Sequence, residues 1–463
     1  MPGRRRGGVR PSCEWMKCPL TWLKWLTGAS LVLLAANARA QSLGGAATKA
    51  VTLAGVVREL QSLTLADAQR LAFQRNWDVL AAASGVDAAV AQKIVSEEFP
   101  DPTLSLSTSK INTDGQPNST VLGNSLWHRS YDTIFAINQL FEIGGKRGDR
   151  QRGAAAGLTA ARAQFYDARR TLDLAVTKAY AAVALAEENV RVLNQSAGTL
   201  RQEAQIAATR FKAGDISEAD KNRIEINADQ YELQARSAAS AAAQARVALE
   251  NLLGIVHPQG DCVLADSLAT LATEPVPPDT NHVGVGRPDV VAAQAAVRQA
   301  EAEWRLQRAE RVPDPTVSLQ YEHSPADSPN TVGLGVSFPL PIWNQNGGNI
   351  RAAQAALDQA RLAQEKAEAQ AAADVATARL ACDEAVKRWQ DYHGALEPKS
   401  AHIAKTVAYA YEKGGAALLD LLSTERDDND VRLNAAQAAS DAIVAIATLK
   451  TSMEVMPELP KHQ

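Results

Sequence analysis

The side chains best suited to metal binding or nucleophilic chemistry are few and scattered. Seven histidines (His128, His257, His282, His323, His393, His402 and His462) form no HxxxH pair, and the four cysteines form no CxxC. A specific transition-metal centre needs three or four converging ligands. His257 with Cys262 is the one suggestive pair, and two residues alone do not make a centre. P-loop, GxSxG and HExxH segments are absent. The sequence therefore predicts no enzyme, no cofactor and no metal site. Asn118-Ser119-Thr120 has the spacing of a glycosylation acceptor but reads as a polar loop.

One carboxylate does recur at fixed spacing. Phe211-Lys212-Ala213-Gly214 is followed by Asp220, and Tyr411-Glu412-Lys413-Gly414 by Asp420. An acid placed so soon after a turn can favour the N-terminal end of the next helix through its dipole. If several copies converge, it can instead form a ring of charge that attracts cations while raising its members' pKa values. The overall balance, 48 Lys plus Arg against 52 Asp plus Glu, excludes the uniformly basic surface of a nucleic-acid binder.

The elements that position these residues are written twice. Pro100-Asp101-Pro102-Thr103-Leu104-Ser105-Leu106 returns as Pro313-Asp314-Pro315-Thr316-Val317-Ser318-Leu319, in the same order relative to the glycine turns. This divides the chain into a first repeat, 64–254, a connector, 255–286, rich in Pro and Gly, and a second repeat, 287–456. An extension, 41–63, precedes them and a tail, 457–463, follows. Each repeat reads as helix, two strands, very long helix, tight turn, shorter helix. Expected helices are 65–98, about 146–212 and 216–253, then 288–311, about 348–413 and 416–455.

The strands are clearest in the second repeat. Val317, Leu319 and Tyr321, then Val332, Leu334, Val336 and Phe338, alternate with polar or small residues, giving one apolar face. A half-buried sheet on a soluble core would alternate in the same way. Four strands of this length can cross a bilayer when tilted. They are too few to close a barrel, and an open edge cannot face lipid, so several copies would pool their strands. Three copies would give twelve, with the apolar face turned outward to lipid.

With 46% apolar but only 5% aromatic residues, the helices must pack mainly through alanine, leucine and valine. From Leu172 to Phe211 apolar residues follow an unbroken 4-3 spacing, and a second stripe runs from Ile224 to Leu252. Two such helices joined by a tight turn make an antiparallel coiled-coil hairpin. The longer one would measure about 100 Å.

At the N-terminus, Leu26 to Ala36 is an apolar stretch behind Lys17 and Lys24. It ends in Ala38-Arg39-Ala40, the small-x-small pattern of a secretory cleavage site, so 1–40 reads as a signal peptide. Cleavage removes seven basic residues and one acid, taking the formal charge from −4 to −10. Cys13 and Cys18 leave with it, and the remaining Cys262 and Cys382 read as buried thiols rather than a disulfide framework. No other run of about 18 apolar residues occurs, so no transmembrane helix is expected in the mature chain.

Taken together, the duplicated plan, the F/Y-x-x-G turn with its Asp, and the PDPT strand entry resemble the TolC-like outer-membrane efflux factors. Gln139 to Arg147 (QLFEIGGKR) and Phe338 to Ile350 (FPLPIWNQNGGNI) are similar to the cobalt-zinc-cadmium and copper efflux branch. The resemblance implies a fold that is mainly α with a small β part, assembled as a homotrimer. Its twelve-stranded barrel would sit in outer-membrane lipid above a periplasmic helical tunnel. It implies as partners a periplasmic adaptor and an inner-membrane proton-driven pump, and a role as passive duct for heavy-metal cations, with drug efflux or type I protein secretion as alternatives. Adaptor docking would fall at the tips, on Phe211, Gly214, Asp220, Tyr411, Gly414 and Gly415. Of two carboxylates that narrow the entrance in some relatives, Asp420 matches the first while Ser423 stands at the second. An arginine near that turn is matched by Ala416 or Ala417. A periplasmic adaptor or structural coiled-coil protein would share the leader and a hairpin, but its hairpin would normally occur once and a module of short strands would accompany it.

Overall fold

The computed structural model describes residues 62–109, 132–278, 286–324 and 330–457. The chain divides into two compact units, Met1–Val57 and Arg58–Gln463, and every described residue belongs to the second. The expected leader, nearly all of the extension, the sequon, His128, His282 and His462 lie outside the described residues, as does the tail beyond 457.

The first repeat opens with α1 (Leu65–Arg75) and α2 (Trp77–Glu97) rather than one helix. Asn76 separates them. Its extended backbone ends α1, its side-chain oxygen accepts from the N–H groups of Asp78 and Val79, and its amide donates to the Leu252 carbonyl at 3.1 Å. A side chain that caps one helix while tied to another fixes a bend where composition alone reads as continuous. By length and composition α2 could also cross a membrane, which the sequence expectation overlooked. It packs along α3 (Lys146–Ala213) and carries Asp78, Asp87, Lys93 and Glu97, while Trp77, Leu80, Val90, Ile94 and Val95 stay exposed.

Strands β1 (Thr103–Ser109) and β2 (Asp132–Leu140) follow, then α3 (Lys146–Ala213), α4 (Glu218–Leu252) and a short connector helix, α5 (Leu268–Ala272). The second repeat gives α6 (Pro288–Ala309), β3 (Thr316–His323), β4 (Thr331–Ser337), α7 (Gly347–Asp391), α8 (Glu397–Glu412) and α9 (Leu418–Met453). Between α7 and α8 the chain stays helical through a π turn, Tyr392–Leu396, in which the Glu397 N–H reaches the Tyr392 carbonyl. Pro398 explains it. A proline has no N–H to give and its ring crowds the carbonyl four residues back, and the wider turn relieves both.

All four strands form one antiparallel sheet in the order β1-β2-β3-β4, leaving β1 and β4 as edges. Below it, α3 packs against α1, α2, α4, α6 and α9, and α7 against α6 and α9. The 4-3 stripe is the seam of the first hairpin. Leu172, Val176, Val183, Leu193, Ala197, Leu200, Ala204 and Ala207 are buried on α3, with Ile224, Ala228, Ala235, Ala242 and Leu249 on α4.

The connector is held by buried polar groups. The Glu250 carboxylate accepts from the N–H groups of Gln259, Gly260 and Cys262 at 2.7–3.0 Å. Leu63 forms a parallel bridge with Leu264, and the buried Tyr180 hydroxyl donates to the Leu63 carbonyl at 2.7 Å. Cys262 and Cys382 are both buried free thiols. Burial pushes the Cys262 thiol up to about 12, which keeps it protonated and inert.

Candidate functional sites at the sheet and the helical tips

The sheet register sorts side chains onto two chemically opposite faces. One carries Leu104 and Leu106, Phe135 and Ile137, Val317, Leu319 and Tyr321, and Val332, Leu334 and Val336, each opposite an apolar neighbour apart from Val317 on its Gln139 side. Leu334 is 81% exposed, Leu104 75% and Val332 73%. Covering one fully exposed side chain of this kind contributes about 1.5–3 kcal/mol, so an apolar cover over this face would be strongly favourable. Val317 and Tyr321 are half-buried, the latter beside Phe135 at 6.4 Å between rings. Phe338 lies one residue beyond the end of β4 and is exposed.

The opposite face is mostly polar or small, with Ser105, Asn138, Ser318, Gln320, Glu322, Gly333 and Gly335 beside the apolar Ile134 and Leu140 of β2. A methyl group at Gly335 would meet the Ser318 hydroxyl at 2.6 Å, and one at Gly333 would meet the Gln320 amide at 2.9 Å. The glycines of β4 thus make room for the polar side chains of β3.

Where sheet meets helix, the two repeats are clipped together. Buried Lys146, at the start of α3, forms a 2.7 Å ion pair with Asp314 of the second PDPT segment and donates to the Val312 carbonyl at 2.6 Å. Asp314 also accepts from the Ile143 N–H at 2.9 Å. Beside them Arg150 grips Glu142 through both carboxylate oxygens, and this hydrogen bond holds the Glu142 carboxyl below its usual range. Sequence reasoning quoted both motifs without this pairing. The signal was a basic residue at one repeat's joint and an acid at the other's.

At the far ends of the long helices the two turns share one design. Gly214 and Gly414 have φ of 83° and 75°. Gly214 N–H reaches Phe211 O and Asp215 N–H reaches Arg210 O, while Gly414 N–H reaches Tyr411 O and Gly415 N–H reaches Ala410 O. These are paired Schellman bonds, in which a left-handed residue lets the last carbonyls find donors. A Cβ at either glycine would touch nothing within 4 Å, so its requirement there is conformational. The tips meet through a small core of Ala204, Ala207 and Ile224 with Ile216 and Leu418, and Arg210 lies 5.5 Å over the ring of Tyr411.

Both recurring acids sit at the third position of the returning helix. Asp220 accepts from the Ser217 hydroxyl at 2.8 Å, and that hydroxyl accepts from the Asp220 N–H at 3.1 Å. Asp420 accepts from the Ala417 N–H at 3.2 Å, and the Ser423 hydroxyl donates to the Asp420 carbonyl at 3.1 Å. Asp420 and Ser423 thus share one turn of α9, and both are exposed. A group that sequence reasoning missed lies just above. Burial, and then Glu412, raises the Glu203 carboxyl, and burial, Asp428 and Glu203 raise that of Glu425. The run Glu425-Arg426-Asp427-Asp428-Asn429-Asp430 was its visible signal. Among the described residues no three His, Cys, Asp or Glu side chains converge as a metal site.

Comparison with known proteins gives a consistent result. The family model described as "Outer membrane efflux protein" matches residues 68–255 and 283–453. The cobalt-zinc-cadmium resistance protein CzcC of Cupriavidus metallidurans is 28% identical over 65% of this chain and 68% of its own length. The nickel and cobalt resistance protein CnrC of the same organism is 27% identical over 69% of this chain and 72% of its own. Among solved structures, CusC superimposes with a TM-score of 0.72 at 16% identity, covering 85% of this chain and 92% of that one. The CmeC outer membrane channel of Campylobacter jejuni gives 0.71 at 18% identity, covering 84% and 85%.

Proposed function

The chain belongs to the outer membrane efflux protein family, and on that premise we propose that it is the outer-membrane duct of a three-part export system whose cargo is divalent heavy-metal cations. The observation that carries this reading is the sheet, with an exposed apolar face on one side and a polar, glycine-relieved face on the other, set on helices about 100 Å long. Turned outward, the apolar face is solvated by lipid, and the polar face lines water. Three copies supply the strands that four cannot close alone. The chain contributes shape and electrostatics to passage, and the driving force comes from an inner-membrane proton-driven pump through a periplasmic adaptor seated at the tips. The cargo assignment rests on the resistance functions in the names of CzcC and CnrC.

Expressed from its full gene, the protein should fractionate with the outer membrane, require detergent for extraction and run as a trimer. Deleting the gene should lower tolerance to cobalt, zinc, cadmium or nickel. A water-soluble monomer after leader cleavage overturns the duct, whereas unchanged metal tolerance with lost drug tolerance or protein secretion overturns only the cargo. The gate is tested at Asp420. With three copies near a threefold axis, Asp420→Asn should weaken cation selectivity and divalent block in planar bilayers. If both are unchanged, Asp420 is a helix cap alone.

A further inference from the structure

The long helices of the two repeats differ in one place. Helix α3 is regular from Lys146 to Ala213, whereas the second long helix is interrupted by the π turn at Tyr392–Leu396. The turn has no packing of its own. Above it α7 buries Ala378, Cys382 and Ala385, the first two in a core with Ile446 and Leu449 of α9. Below it the next buried side chains are Ala404 and Tyr411 of α8. No side chain from Val386 to Ile403 is buried within the protomer. Helices in proteins are held mainly by the face they pack. A stretch that buries nothing and contains a π turn, Gly394 and Pro398 is therefore where this helix bends most easily.

Three side chains bridge that stretch at four-residue intervals. Trp389 belongs to the upper side, where it packs on the core of Ala436, Ala439 and Ile443. His393, in the π turn, stacks on it with ring centres 5.6 Å apart and planes 10° from parallel. Its Nδ1 lies 3.3 Å from Oε2 of Glu397, the first residue of α8. The three border a cavity of about 260 Å³ whose other charged walls are Glu188 and Arg191 of α3 and Arg432 of α9, while the connector contributes only uncharged residues, Ser267 to Ala269. Arg191 is engaged by Glu188 at 2.5 Å, and Arg432 by Asp428 at 2.8 Å. Glu397 has its ion pair with His393, and that pair exists only while the imidazole is charged.

We propose that Tyr392–Leu396 is a hinge for the lower part of the second hairpin, and that Trp389, His393 and Glu397 form a proton-operated clasp across it. Imidazole gains its charge as pH falls from about 8 to 5. Charged His393 attracts Glu397 below it and the indole face of Trp389 above it, so the clasp shuts and the helix is held in line. Neutral His393 keeps the stack and loses the ion pair, which frees the hinge. The added stability is thus present in acid and lost as pH rises. Helix α8 leads to the tip whose returning helix carries Asp420, so a shut clasp restrains that tip and an open one lets it move. With His393 59% exposed, both contacts are weak, and the expected effect is about fivefold.

The consequence for passage rests on the duct reading, and the test separates the two. In detergent-solubilised full-length trimers, amide exchange across residues 389–400, corrected for the intrinsic effect of pH, should be about fivefold slower at pH 5 than at pH 8. Trp389 emission, read as the difference from Trp389→Phe, should fall over the same range as the stacked imidazole becomes charged. His393→Gln should abolish both responses and Glu397→Gln should weaken the first, while His402→Gln, an exposed histidine of α8, should keep both. In planar bilayers, acid should reduce channel opening more in the unsubstituted protein than in His393→Gln. Exchange that keeps its pH dependence in His393→Gln, or that shows none in the unsubstituted protein, overturns the clasp. Equal acid responses of opening in the two proteins overturn its hold on the tip. A trimer that conducts at no pH overturns the duct, and amide exchange still decides the clasp.

Discussion

The two helical tips share the same Schellman turn and the same acid six residues after the glycine, yet they are not equally closed. At the first, Ser217 and Asp220 satisfy each other and the start of α4. At the second, the position of Ser217 is taken by Ala417, so α9 starts with only the Asp420 carboxylate on the Ala417 N–H. An absent N-cap side chain costs about 1 kcal/mol. Just above, Glu203 of the first hairpin and Glu425 of the second place like charge where the hairpins meet, whereas Arg201 on the first is paired with Asp229 and Glu232. The lesson is that a duplicated chain can cap its two tips unequally, the second lacking the side-chain N-cap of the first.

The strongest way to break the comparison is to injure both turns alike. Gly214→Val and Gly414→Val each force a branched residue into a left-handed conformation, costing about 1–2 kcal/mol. Both should leave trimer yield unchanged while lowering metal tolerance and adaptor crosslinking. If Gly214→Val alone does so, the second tip is not the weaker one. Exchanging the caps sharpens it. Ser217→Ala should speed amide exchange at the start of α4, and Ala417→Ser should slow it at the start of α9, each by about fivefold. Only the second change should reduce channel opening in planar bilayers.

The smallest effect concerns pH. A carboxyl whose folded pKa lies above its unfolded value costs nothing while both states are protonated, and destabilises the fold as pH rises out of the ordinary carboxylate range through the raised value. Glu203→Gln and Glu425→Gln should therefore raise the melting temperature by about 1–2 °C at neutral pH and by nothing measurable near pH 4. An equal gain at both pH values would show that charge is not the cause.

The long helices were legible because their ends carry strong punctuation. Residues 146–212 were expected for α3, and Lys146–Ala213 is observed, between Gly145 and Gly214. The strands were legible through alternation, and their two faces follow directly. What composition could not show was the break at Asn76, whose bond to Leu252 is made across 176 residues. Nor could it show the connector's dependence on Glu250, which looks in sequence like any acid on a helix. The tip acids were legible as a motif. Their local duty, capping, is visible in one protomer, whereas a ring of charge is a property of three.

The π turn at Tyr392–Leu396 has a consequence for how the second repeat can be edited. Buried positions on α7 recur by sevens at Ala371, Ala378 and Ala385, with Cys382 between, and on α8 at Ala404 and Tyr411. Cys382 and Ala404 are 22 residues apart, three heptads and one more. The wide turn absorbs that surplus residue, so the same seam continues toward the tip in phase. This stretch is therefore the one place in the second long helix where the chain carries a spare. Removing Gly394 together with Pro398→Ala should leave a plain α-helix with its stripe intact, while removing one residue from the middle of α7 should turn every side chain beyond it by about 100°.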